Sequence, residues 1–392
     1  MKNQQRNGPS KKVATDLATL PAPSTFVSQA KLEELLATVS QCRSLLILTH
    51  DNPDPDAISA ASCLRYIISK RLGIRTKIGY GGIIGRAENR AMLSLLKIHT
   101  TKVTEAVIRR YRSVALVDTQ PMTGNNSLPH DVETLIVIDH HPLRKSTKAA
   151  FLDVRPNYGA SASILTEYLF ASGLDIPSSL ATALFYGIAS ETQDLGREAS
   201  EADKRAYLAL FPKTNWKILS RIRRPPLDKM HFAYMARAIA NAQTYKHAIA
   251  TSLGKVDYAD IVAEVAEMLL GLKRISWSLC TGRYKDTILV SLRTSRTKGR
   301  AGTIARRVVG PGNTAGGHDM IAGGQVDCSG KTEEERDQME RKIIESFFKI
   351  MGKQEFGEPS RLLPPEEKKE SETPKASCSE GQNRTKREEV KK

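Results

Sequence analysis

Seven consecutive residues, His50-Asp51-Asn52-Pro53-Asp54-Pro55-Asp56, carry one imidazole and three carboxylates. They follow an apolar run, Leu45–Leu48, and precede an amphipathic stretch, Ala57–Arg71. The two prolines stiffen the turn. Side chains two apart in an extended chain point the same way, so His50, Asp54 and Asp56 are expected to converge. A turn and a helix cap would explain one Asp. Three, with a His, need a cation to offset their repulsion. Two further apolar runs end in the same chemistry: Val114–Val117 in Asp118, and Leu135–Ile138 in Asp139-His140-His141. Ligands of open α/β sheets sit at the carboxyl ends of strands. Three strand ends would therefore deliver donors to one sheet edge.

Carboxylates and imidazoles without thiolates suit Mn²⁺ or Mg²⁺ rather than structural zinc. The donor set of His50, Asp54, Asp56, Asp118, His140 and one more exceeds what a single ion takes. Two ions about 3.5–4 Å apart fit better, and such a pair activates water and clamps the oxygens of an in-line phosphoryl displacement. The missing donor is expected from Gly187–Arg197, which follows the apolar stretch Leu180–Ile188 and offers Glu191 and Asp194.

A second cluster is glycine-rich, Gly310–Gly324, with two glycine pairs flanking His318 and Asp319. Upstream lie Arg293, Arg296, Lys298, Arg300, Arg306 and Arg307, and no acid occurs between Thr287 and His318. Glycine allows close backbone approach and exposes N–H groups, so this segment reads as an anion cradle.

Short apolar runs (Leu45–Leu48, Thr76–Tyr80, Val114–Val117, Leu135–Ile138) alternate with amphipathic stretches (Gln29–Gln41, Ala57–Arg71, Arg86–Lys97, Ala160–Ser172). This alternation predicts an α/β domain over residues 26–200, with a mainly parallel sheet flanked on both faces by helices. Residues 201–242 read as a helical linker broken at Ser220–Pro226. Residues 243–352 restart with alternating strands and helices and read as a smaller α/β domain. Residues 1–25 read as a disordered arm. Residues 353–392 read as a disordered mixed-charge tail, too poor in apolar side chains to offset the entropy of ordering.

The 392 residues are 40% apolar and 26% charged, which is globular composition. No apolar run reaches the ~20 residues of a bilayer helix, and the first residues lack a secretory h-region. Five scattered cysteines without a CxxC pattern argue against a disulfide framework and point to a reducing, cytoplasmic setting. The formal net charge of +16 falls mostly on the folding portion. It suits an anionic partner such as nucleic acid or nucleotide.

Together these motifs resemble the DHH/DHHA1 phosphoesterase family, and in particular its oligoribonuclease and phosphoadenosine-phosphatase (nanoRNase) branch. HxNPDxDA stands at His50–Ala57, the second-motif Asp at Asp118 and the DHH triad at Asp139–His141. GRAENR at Gly85–Arg90, QDLGRE at Gln193–Glu198 and GGH at Gly316–His318 complete the likeness. The resemblance implies a DHH lobe with a dimanganese site, a linker and a DHHA1 lobe that binds substrate. His50, Asp54 and Asp118 would hold one metal. Asp56, Asp118 and His140 would hold the other, with Asp118 bridging. His141 would contact the scissile phosphate or assist proton transfer, and Asp139 would orient the imidazoles. Gly316, Gly317, His318 and Arg293 would grip the terminal phosphate. The family's fourth motif has Asp where this chain has Glu191, which is one methylene longer but still able to ligate.

The activity implied is Mn²⁺-dependent hydrolysis of very short single-stranded RNA to mononucleotides by a metal-activated hydroxide. Removal of the 3′-phosphate from phosphoadenosine phosphate is a second reaction of that branch. The alternatives are a cyclic- or linear-dinucleotide phosphodiesterase, a single-strand DNA exonuclease and, from another class, a nucleotide-binding regulatory protein of weak activity. No membrane partner is expected. The oligomeric state stays open, a homodimer among the options.

Overall fold

The structure is a computed structural model that describes residues 26–317, 319–352 and 357–363. His318, the first 25 residues and most of the charged tail lie outside the described residues. In chain order the first lobe comprises α1 (Phe26–Val39), β1 (Ser44–Leu48), α2 (Pro55–Leu72), β2 (Arg75–Tyr80), α3 (Ala87–Leu96), β3 (Thr100–Lys102), α4 (Glu105–Ile108), β4 (Val114–Val117), β5 (Ile136–Asp139), β6 (Phe151–Val154), α5 (Ser161–Ala171) and α6 (Ser178–Glu191). β1, β4 and β5 are apolar on both faces because both are covered, as parallel strands require. The six strands pair in parallel in the order β3-β2-β1-β4-β5-β6. The direction of strand addition reverses between β1 and β4, where a crevice opens at the carboxyl ends.

The two faces are covered unequally. Side chains of α1, α2, α3, α5 and α6 pack with Leu45 and Ile47 of β1 into one large core. On the other face, Leu46, Leu48, Leu116 and Val137 pack with the short α4, with β6 and with loop residues such as Leu128 and Val132. The expected helical layer on both faces is thus complete on one.

α7 (Glu201–Leu210), α8 (Trp216–Arg223) and α9 (Lys229–Asn241) lead into the second lobe. That lobe comprises β7 (Gln243–Tyr245), β8 (Ala248–Lys255), α10 (Ile261–Leu270), β9 (Trp277–Tyr284), β10 (Thr287–Thr294), α11 (Ala301–Val309), β11 (Thr314–Gly317), β12 (Ile321–Asp327), α12 (Glu333–Gly352) and β13 (Ser360–Arg361). Its mixed sheet runs β11-β12-β10-β9-β8-β7-β13. Two segments differ from the sequence reading. The glycine-rich stretch is largely an antiparallel hairpin, β11–β12, because Ala322 and Val326 alternate inward while Gly317 lets the two strands approach closely. Ser360–Arg361, within the stretch read as unstructured tail, pairs with β7, whose unpaired edge offers backbone partners. Among the described residues no helix is long and apolar enough to cross a membrane.

The Gly85–Arg90 segment docks the first lobe onto α10 of the second. Arg86 lies 3.7 Å from Glu267, and the Asp260 carboxylate packs against Gly85 so closely that a side chain there would collide with it. Glu264 sits among these groups, 3.5 Å from His231, with one carboxylate oxygen buried and without a hydrogen bond. Burial, more than the nearby charge of Arg86 relieves, pushes its pKa up to about 7. Between the ordinary value of 4.5 and 7 the folded chain holds a proton that the unfolded chain has lost, so ionisation of Glu264 works against the fold as pH rises through this window. Glu264→Gln is expected to raise the Tm at pH 8 and leave it almost unchanged at pH 5. Thermal melts at the two pH values measure this, and an equal shift at both would contradict it.

Candidate metal centre

Strand ends aim His50, Asp118 and His140, and a helix start aims Asp54 and Asp56. His50 follows β1, and its Nδ1 lies 2.9 Å from the Asp51 carbonyl. His140 follows β5, with Nδ1 3.2 Å from the Tyr158 carbonyl. A carbonyl only accepts, so Nδ1 carries the proton in both rings and Nε2 keeps its lone pair when the ring is neutral. Asp118 follows β4 with φ of 61°, a left-handed backbone that Asp tolerates better than most residues. That turn places the carboxylate between the imidazoles: Oδ2 lies 3.6 Å from His50 Nε2, and Oδ1 lies 3.5 Å from His140 Nε2.

Asp54 caps α2. Its Oδ1 accepts from the Ala57 amide at 2.9 Å, which leaves Oδ2 3.7 Å from His50 Nε2. Cap and site residue are thus one side chain. Asp56 arrives by a route other than the extended one expected. Pro55 and Asp56 already belong to α2, and the first helical turn carries Asp56 inward. Its two oxygens accept the Ser161 and Ala162 amides at the start of α5, each at 2.8 Å, and Oδ2 lies 4.0 Å from His140 Nε2. Asp51 turns away from the cluster to accept from the Ser127 hydroxyl at 2.8 Å. Asp139 holds His141 through Oδ1 at 2.9 Å and is held in turn by Gln120 at 2.7 Å.

The electrostatics are those of a cation site. Burial raises the pKa of Asp118, and the charge of Asp54 adds to it. Burial raises Asp56 further, with repulsion from Asp118, Asp54 and Glu191. Burial and the charge of Asp54 bring Glu191 up to about 7. Burial disfavours the charged form of His50, but the adjacent Asp54 carboxylate and the charge of Asp118 outweigh it and lift its pKa to about 10. Two overlapping groups, His50-Asp54-Asp118 and Asp118-His140-His141, each keep their donor atoms within 4.8 Å of one another. Asp118 belongs to both. Oxygen and imidazole donors at this density fit hard divalent ions.

Glu191, at the end of α6, lines the cleft beside His140 and His141 and lies 3.3 Å from Arg197. Asp194 is instead paired with Arg223 at 2.6 Å. The cleft holds about 690 Å³ and runs to Gly317, Arg300 and Arg306 of the second lobe. Gly317 must be glycine. Its φ is 148°, and a Cβ there would strike the Ile321 carbonyl. Arg293 and Gly316 line an adjoining cleft of about 630 Å³ that shares Ile321 with the first. The Arg293 guanidinium donates to the carbonyls of Leu292 and Ala322 at 3.1 and 3.4 Å, while its buried Nε has no hydrogen bond. Burial and the nearby charge of Arg86 bring its pKa down to about 10.

Residues 44–188 match the N-terminal domain of the DHH family. The first lobe is a DHH domain. A relative from Methanocaldococcus jannaschii, named only as an uncharacterized protein, is 37% identical over 284 residues, which is 72% of this chain and 58% of its own length. A probable manganese-dependent inorganic pyrophosphatase from Streptococcus pyogenes is 26% identical over 151 residues, 38% of this chain and 48% of its own. The chain thus spans about half the length of these curated relatives. An exopolyphosphatase-related protein from Bacteroides fragilis shares the fold, with a TM-score of 0.65 at 16% identity over 81% of this chain and 97% of its own.

Several partners of the DHH-domain centre carry no sequence signal. The Ser161 and Ala162 amides, the Ser161 hydroxyl that donates to Asp118 at 2.8 Å, and Gln120 stand far in sequence from what they hold. Arg197 lies inside QDLGRE, but only the fold sets it against Glu191.

Proposed function

We propose that this chain is a divalent-metal-dependent phosphoesterase that hydrolyses very short single-stranded RNA to mononucleotides, as in the nanoRNase branch, with phosphoadenosine phosphate as a second substrate. The observation that carries the reading is Asp118, whose two oxygens face two different imidazoles at 3.6 and 3.5 Å, as a carboxylate shared between two cations would. His50, Asp54 and Asp118 would hold one ion, and Asp56, Asp118 and His140 the other, with Glu191 completing the set. Mn²⁺ is favoured by the mixed oxygen and nitrogen donors and by the manganese-dependent relative. Such ions supply activation of water and neutralise phosphoryl charge.

The chain's own residues do the rest. Burial disfavours the charged form of His141, but the Asp139 hydrogen bond and the charge of Asp118 outweigh it and raise its pKa to about 9. It is therefore cationic at neutral pH. From the cleft wall it stabilises charge on the scissile phosphate and can give a proton to the leaving oxygen. Asp139, buried and fixed by Gln120, sets the orientation of that ring. Arg293 and the Gly316–Gly317 backbone receive the terminal phosphate.

The test is incubation with Mn²⁺ and labelled di- to pentanucleotides. Mononucleotide release is expected, and a folded protein that releases none would overturn the reading. Glu191→Gln is expected to reduce turnover by about 10–100-fold through weaker metal binding. Activity against Mn²⁺ concentration reads this, and an unchanged curve would remove Glu191 from the centre.

A further inference from the structure

The second lobe's wall of the cleft is an arginine stripe. Arg300, at the cap of α11, Thr303 and Arg306 all face the space that holds His140 and His141. Thr303 and Arg306, three apart on the helix, share one side, and Arg300 stands at its start with a left-handed backbone (φ of 55°) and lines the same cleft. Both arginines are exposed, and among the described residues neither makes an ion pair. Asp319 reaches the same cleft from this lobe, which leaves the wall net positive. The stripe is held firmly, because Gly302 of α11 abuts the Gly317 backbone so closely that a Cβ would collide with it. Arg293, which the proposed function assigns to the terminal phosphate, lies in the adjoining cleft and leaves this stripe unused.

We infer that Arg300, Thr303 and Arg306 form a second phosphate subsite that receives the backbone of a single strand beyond the scissile bond and so favours substrates longer than a dinucleotide. The inference rests on the phosphoesterase reading and specifies its substrate. Planar guanidinium groups match phosphate oxygens in paired hydrogen bonds, and the threonine hydroxyl adds a donor between them. Tyr158 is the one Phe, Tyr or Trp on the cleft wall among the described residues, so the wall offers little base stacking and reads charge rather than sequence.

The test compares the natural chain with the Arg300→Ala/Arg306→Ala double variant. For a pentanucleotide, kcat/KM is expected to fall at least about tenfold, as two charge-assisted hydrogen-bonding sites are lost. For a dinucleotide it is expected to change less than about twofold. Binding of a labelled pentanucleotide to the metal-free protein is followed against salt concentration. The slope of log affinity is expected to become shallower by about 1.4, from two phosphate contacts on a single strand. The Arg300→Lys/Arg306→Lys variant should restore that slope. Equal losses on both lengths, or an unchanged salt slope in a double variant with native circular dichroism, would overturn the subsite. If the natural chain cleaves no oligonucleotide, the phosphoesterase reading fails, and the salt slope still decides the subsite.

Discussion

Asp118→Asn is expected to lower kcat/KM by about 10⁴-fold or more, as for residues that act as a unit, and yet to raise the Tm of the metal-free protein. The two effects share one cause. Asp118 is 2% exposed and sits between two imidazoles and close to other carboxylates. Burial raises its pKa on folding, so at neutral pH its ionisation opposes the fold. An amide removes that opposition and keeps the oxygen that accepts from Ser161. Asn also tolerates the φ of 61°, so this variant tests the charge and not the backbone. Added Mn²⁺ should raise the Tm of the natural chain by mass action and leave the variant unmoved. A variant that stays active, or that melts lower in metal-free buffer, would mean that Asp118 is a structural carboxylate.

His141→Gln is expected to reduce kcat by about 10²–10³-fold, the range for loss of an acid–base or charge-stabilising group. Mn²⁺ binding should be retained, because His50, Asp54, Asp56, Asp118 and His140 remain. Asp139→Asn should lower kcat by about 10–100-fold through loss of ring orientation alone. Steady-state rates with a dinucleotide and titration of Mn²⁺ by calorimetry separate the two roles. If His141→Gln loses metal in step with turnover, His141 belongs among the ligands and not among the groups that meet the phosphate.

The parallel sheet was legible in the sequence because its central strands are apolar on both faces and each ends in Asp or His. β3 and β6 were not, since three or four residues carry too little pattern to register. The glycine-rich stretch read as a cradle because glycine signals freedom. In the structure four of those glycines lie in paired strands, and Gly317 stands too close to Ala322 for any side chain. The site was legible to the extent that its donors cluster locally. His50, Asp118 and His140 could be placed by strand ends. What holds Asp56 could not, because Ser161 stands 105 residues away and offers only a backbone amide. α11 was hidden in a basic run that read only as part of an anion cradle, and it is the fold that sets Arg300 and Arg306 on one cleft with His140.

β13 brings a practical consequence. Its two residues cover the otherwise open edge of β7, and the Leu362 amide adds a bond of 2.8 Å to the Ala242 carbonyl. Anyone trimming the lysine- and glutamate-rich extension for crystallisation should cut after Leu363. A shorter chain would leave Gln243–Tyr245 as an adhesive margin, and self-association during purification would be its first symptom.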